Sequence, residues 1–220
     1  MDDKLIQLIL QGISETFYMV IISTLASYIL GVPLGVLVYA TGTGGIKENK
    51  AINTVTSLII NVVRSIPFLI LLVAILPFTR LVVGTTIGST ASIVPLVVAA
   101  VPFVARMVES SLKEVDPGVV EAAKAMGSTD AQIVFKVLIP EAVPSLLLGM
   151  TIAFGTILGY SAMAGFVGGG GLGAIAVNYG YYRYQTKIML VTVALLVIIV
   201  QLFQEGGIKI VNKIDRRIKL

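Results

Sequence analysis

Apolar positions in this chain come in long blocks, without the short alternation of a half-buried sheet. Five blocks have roughly the 20-residue length that crossing about 30 Å of hydrocarbon requires: 16–40, 53–77, 91–108, 144–167 and 188–210. The pattern predicts an all-α, polytopic membrane protein with five transmembrane helices in a single domain, 1–220. Details inside the blocks sharpen this. In the first, GVPLG at 31–35 spaces small residues for close helix packing, and Pro33 predicts a kink. In the second, RSIPF at 64–68 sets Arg64 and Ser65 deep in apolar sequence, and Pro67 breaks the helix and frees backbone carbonyls. Arg64 either snorkels to the nearer interface or, with Ser65, lines a path. PFTRLVVGTTIGST at 77–90 reads as a short loop carrying Arg80. In the third block Arg106 and Glu109, three residues apart, are placed to pair on one helix face.

The fourth block holds GTILG at 155–159, a second close-packing face, followed by Tyr160, Ser161 and Met163. These three are candidate path or gate residues, although ordinary helix packing accounts for them equally well. Met163 adds a flexible side chain able to close a constriction and repack. GFVGGGGLG at 165–173 contains G-x-G-x-x-G, but no strand precedes it and no acidic residue follows at the right distance. It is read as a flexible re-entrant turn or external loop. The tyrosine-rich NYGYYRYQTK at 178–187 suits a membrane interface.

One interval, 116–140, is polar-studded and carries helix punctuation (DPGVVEAAKAMGSTDAQIVFKVLIP). Asp116 caps a helix that Pro117 opens and Gly127 stops; Thr129 and Gln132 form a capping box for a second helix that Pro140 ends. Val119, Ala123 and Met126 fall on one face of the first helix, with Glu121 and Lys124 on another. From periodicity alone, this pair either lies on the membrane surface or docks onto a partner.

Composition narrows the function. The chain is 56% hydrophobic and 13% charged, with a mean hydropathy of +0.97. Cysteine and histidine are both absent, which excludes thiolate chemistry, imidazole metal ligands and Ser-His dyads. A Ser-Lys hydrolase is disfavoured because no lysine lies beside a serine within a predicted span core. There is no phosphate-binding G-x-x-x-x-G-K-[ST] loop, and 1–11 does not read as a cleavable signal. Lys47, Lys50, Lys113, Lys124, Lys136 and the basic tail (Lys209, Lys213, Arg216, Arg217, Lys219) share one side of a five-span layout. The positive-inside rule makes that side cytoplasmic, with the amino terminus outside and the carboxy terminus inside a plasma (inner) membrane.

Glu121-Ala122-Ala123, Gly127 and Val137-Leu138-Ile139-Pro140 resemble the "EAA…G…I-LP" signature of ABC-importer permeases. Val137 and Ile139 depart conservatively from it. Further stretches at 64–72, 76–88, 102–109 and 159–173 are similar to the permease family of methionine ABC importers. The resemblance implies a type I ABC importer permease fold and a transport role for D- and L-methionine rather than an enzymatic one. It makes 116–140 a coupling segment in which Glu121, Ala122, Ala123, Ala125, Met126 and Gly127 meet the ATPase. The implied assembly is a homodimer with two copies of an ATP-binding subunit and an extracytoplasmic methionine-binding lipoprotein, embedded in membrane lipid. ATP is then bound by the partner, with no cofactor or metal in this chain and no nucleic-acid role. The alternatives are the permease of a polar amino-acid importer, which a charge in the later spans would support, and a stand-alone channel or secondary carrier, which would need no ATPase.

Overall fold

Glycine and proline divide the apolar blocks into helices of very unequal length. A computed structural model describes residues 3–215, which form ten α-helices and no strand. In chain order these are α1 (Asp3–Thr41), α2 (Lys50–Ser65), α3 (Phe68–Ala74), α4 (Leu76–Val83), α5 (Ser89–Lys113), α6 (Pro117–Ala125), α7 (Asp130–Ile133), α8 (Ile139–Ala164), α9 (Gly171–Ile175) and α10 (Thr186–Ile214). π-Helical turns at Val134–Leu138 and Ala176–Tyr181 join α7 to α8 and extend α9. Arg216, Arg217 and Lys219 of the basic tail lie outside the described residues.

Four helical stretches are long and apolar enough to cross a membrane: Asp3–Thr41, Ser89–Lys113, Asp130–Val167 and Thr186–Ile214. The 53–77 block departs from the expectation of a single rod. It divides at Ile66-Pro67 into α2 and α3, which are bent by 101°. Pro67 has no N–H to continue the ladder, and it restricts the residue before it to extended backbone; Ile66 has ψ 122. The following stretch is a helix, α4, rather than a loop. Pro77 lies in its first turn, and Gly84, at φ 83, ends it in the left-handed conformation.

α1 and α5 form the spine. A Cβ at Gly35 would lie 2.6 Å from both the Ala105 carbonyl oxygen and Val108 Cβ, and one at Gly31 2.7 Å from Val104 Cγ1. The small residues of 31–35 therefore do bring two backbones together. The matching expectation for 155–159 holds at one end only: a Cβ at Gly155 would lie 3.1 Å from Gln204 Nε2 of α10, whereas one at Gly159 would meet nothing within 4 Å. α1 also runs as one helix through Pro33 and begins well before position 16.

The glycine run is also not an external loop. Gly171, Leu172 and Gly173 are buried, and a Cβ at Gly173 would sit 2.5 Å from Ala162 Cα. The Gly171 N–H donates to the Glu15 carboxylate (2.7 Å) and the Leu172 N–H to Thr16 Oγ1 (2.9 Å), both on α1. Two apolar cores result. One gathers Met19, Leu72, Leu96, Phe154 and Leu172. The other gathers Val104, Val108, Leu112, Val120, Ala123, Ile133 and Leu138, so the 116–140 segment shares a core with α5.

Candidate coupling and translocation site

The 116–140 segment is built from local hydrogen bonds. Asp116 Oδ1 accepts from the Gly118 N–H at 2.8 Å, and Pro117 opens α6. α6 closes in a Schellman motif: the Gly127 N–H donates to Lys124 O (2.9 Å) and the Ser128 N–H to Ala123 O (3.1 Å). Gly127 sits at φ 77, a left-handed position that side chains disfavour. The capping box is complete: Gln132 N–H donates to Thr129 Oγ1 and Thr129 N–H to Gln132 Oε1.

Two expectations change here. Pro140 does not end the second helix. The π turn hands Val134 O to the Ile139 N–H, five residues on, and Pro140 then occupies the first turn of α8, where a missing donor costs nothing. The apolar face of α6 is also rotated by one residue. Val120 and Ala123 are buried, while Val119 is 42% and Met126 79% exposed. Ala123 thus roots α6 in its own bundle. Glu121, Ala122, Ala125, Met126 and Gly127 are exposed on the outside. This leaves a capped, short helix with an exposed Met126 at its tip and a buried root in the apolar core that also holds Ile133 and Leu138.

A second assembly lies where α2, α5 and α8 meet. The Arg106 guanidinium donates to Glu109, to Asn61 Oδ1 (2.9 Å) and to Ser57 O (3.4 Å). Lys113 Nζ donates to the other oxygen of Glu109 at 2.7 Å. The expected Arg106–Glu109 pair is therefore one link of a relay tying α5 to α2. The sequence reading missed Lys113 and Asn61 as members. The Glu109–Lys113 spacing of four was a visible signal, whereas Asn61 gave none.

The candidate path residues separate. Arg64, Ser65 and Pro67 are exposed at the α2–α3 break, with Ser65 Oγ donating to Asn61 O at 2.8 Å. Tyr160 stacks on Phe68, with ring centroids 4.5 Å apart, which ties α8 to α3. Ser161 is buried and its hydroxyl donates to Leu158 O within its own helix. Met163 is 43% exposed and continues a stripe of Leu148, Ile152 and Gly159 along one face of α8. Glu15, which the sequence reading did not single out, fixes the glycine turn.

An all-helical bundle of apolar spans, with an exposed, capped helix whose inner face enters the apolar core, has the architecture expected of a transport permease. Comparison with known proteins agrees. The family of binding-protein-dependent transport system inner membrane components matches residues 31–213. A probable D-methionine transport system permease protein of Vibrio cholerae is 50% identical over 210 residues, covering 96% of this chain and 93% of that one. The D-methionine permease of Escherichia coli K12 is 49% identical over 165 residues, 75% of this chain and 76% of that one. An inward-facing structure of the MetNI methionine ABC transporter superposes with a TM-score of 0.97 at 48% identity, covering 98% of this chain and all of the other. A structure of an amino acid ABC transporter with histidines shares the fold at a TM-score of 0.78 and 22% identity. This chain belongs to the binding-protein-dependent transport system inner membrane components and, within them, to the group of the D-methionine permeases.

Proposed function

We propose that this chain is the membrane permease of an ATP-driven importer of D- and L-methionine. Two copies form the path, two ATP-binding subunits drive it, and an extracytoplasmic lipoprotein delivers the amino acid. The chain crosses the membrane five times, with the α2–α3 pair as a broken span, its amino terminus outside and α6 in the cytoplasm. ATP is bound and hydrolysed by the partner; this chain carries no cofactor of its own.

The observation that supports this reading most is the two-sided character of α6: Met126 and Glu121 are exposed, while Val120 and Ala123 lie in the core that contains Val104, Val108 and Leu112. ATP binding draws the two motor subunits together and carries each α6 with them. Because Val120 and Ala123 share one apolar core with Ile133 and Leu138 at the foot of α8 and with Val108 and Leu112 of α5, the push reaches both helices through that core. The Arg106–Asn61 contact passes it on to α2. Switching such an equilibrium from 1:99 to 99:1 takes about 5.5 kcal/mol of differential binding, within the scale of a docked helix pair. Arg64, Ser65, Pro67, Tyr160 and Met163 lie along the path or its gate. Ser161 supports that wall from within α8.

The test is uptake of labelled methionine by proteoliposomes containing the permease and its ATP-binding subunits, with the binding protein supplied outside. Uptake that requires ATP and the binding protein is expected. Uptake by the permease without the motor overturns the reading.

A further inference from the structure

The α2–α5–α8 junction forms an open cavity of about 290 Å³ on the surface of the chain. That volume lies just below the roughly 300–1,000 Å³ of drug-sized sites, and suits a solute of amino-acid size. Its lining has an uncommon mixture for a membrane helix bundle. Arg64 comes from the end of α2, Arg106 from α5, and Glu114 from the residue that caps α5. Met107, Leu148 and Ile152 supply the apolar wall. The serine hydroxyls of Ser111 and Ser145, 2.9 Å apart, close one side.

The two cations are not equivalent. Arg106 is occupied: Glu109, Asn61 and the Ser57 carbonyl take its donors. Arg64 makes no ion pair or hydrogen bond among the described residues. Ionisable side chains within apolar spans are costly and normally face a partner or a water-filled path. An unpaired arginine opening into a cavity with a carboxylate, hydroxyls and an apolar wall matches three features of one solute class: an anion, a cation and an apolar side chain. The apolar wall has no further charge to receive a second ionic group.

Resting on the importer reading above, we infer that this cavity is a transit site for a free α-amino acid with an apolar side chain. Arg64 takes the carboxylate, Glu114 faces the ammonium, and the side chain lies along Met107, Leu148 and Ile152. Arg106 is a positioning residue: held by Glu109 and Asn61, it keeps α2, and with it Arg64, against α5. The site is assembled from spans far apart in sequence, which is why the uncharged stretch 142–182 gave no hint of it.

The chain contains no cysteine, so Ile152→Cys places a single thiol of the permease in the cavity. The experiment uses the assembled complex in nanodiscs, without the binding protein, and follows modification of the permease chain by a small methanethiosulfonate reagent. L-methionine is expected to slow labelling, with L-methionine methyl ester, which lacks the carboxylate, about tenfold less effective, since an arginine–carboxylate contact is worth at least that factor. Adding Arg64→Gln is expected to remove the difference between acid and ester. A thiol introduced by Leu81→Cys, on exposed α4, should be indifferent to both. A labelling rate at position 152 that methionine does not change overturns the site, as does an acid–ester gap that survives Arg64→Gln. Equal slowing at position 81 overturns it too. Should Arg64→Gln fail to assemble, Leu148→Trp, which fills the cavity, must abolish protection, and protection that persists overturns the proposal. ATP-driven uptake by the unsubstituted complex without any protection removes the site and leaves the importer reading standing. Absence of uptake removes the importer reading.

Discussion

Arg106 on α5 donates to Asn61 Oδ1 on α2 at 2.9 Å, joining two helices across forty-five positions of sequence. The same guanidinium pairs with Glu109, which is 8% exposed and also holds Lys113. Asn61→Leu keeps bulk and removes the acceptor, so α2 loses its polar attachment to α5. A hydrogen bond to a charged group contributes about 1.5–3 kcal/mol. The assembled complex should lose several degrees of thermal midpoint in detergent, and transport per ATP hydrolysed should fall further than ATPase activity does. An unchanged coupling ratio would make this contact purely structural.

The tip and the root of α6 should behave differently. Met126, exposed, contacts nothing that its loss would unfold, so Met126→Asp should leave the permease folded while abolishing copurification of the ATP-binding subunit. Val120→Asp places a carboxylate in the core beside Ile133 and Leu138 and should lower stability by several kcal/mol, read as loss of folded protein at extraction. If Met126→Asp binds the motor normally, α6 is not its docking element.

Gly127→Val forces a β-branched side chain into φ 77, which costs roughly 1–2 kcal/mol and opens the turn between α6 and α7. Glu121→Gln leaves the backbone alone. Both should reduce the transport obtained per ATP or the yield of complex, measured as uptake against phosphate release. Two variants that assemble and transport normally would remove the coupling role.

At the α1–α5 crossing, Gly35→Val drives methyl groups into the Ala105 carbonyl and Val108. Overpacking of this kind costs about 1–3 kcal/mol, visible as a lower melting temperature. Gly206→Ala, where a Cβ meets nothing within 4 Å, is the control: it should hold or raise the midpoint, since helix propensity favours Ala by up to about 1 kcal/mol.

Met163→Ala shortens a 43% exposed side chain on the open face of α8. It should raise solute leak or basal ATPase activity in proteoliposomes. Identical leak and basal activity would return Met163 to ordinary packing.

Much of this molecule is written in local patterns. The apolar blocks, the Asp116 and Thr129 caps, and the Gly127 stop depend on residues within a few positions of one another, so the sequence alone specified them. The Pro67 break is of the same kind, because the ring acts on its immediate neighbours. Other features required distant partners. Whether Val119 or Val120 faced inward on a nine-residue helix was settled by where Ile133 and Leu138 stand, not by periodicity. Gly171 to Gly173 became a buried turn because Glu15 and Thr16 of α1 receive the amides of Gly171 and Leu172. Arg64 and Glu114 came to line one cavity only once α2, α5 and α8 had packed. Helix formation and capping are satisfied within a segment. The direction a side chain faces, and the charge it meets there, are decided by whichever helix closes over it.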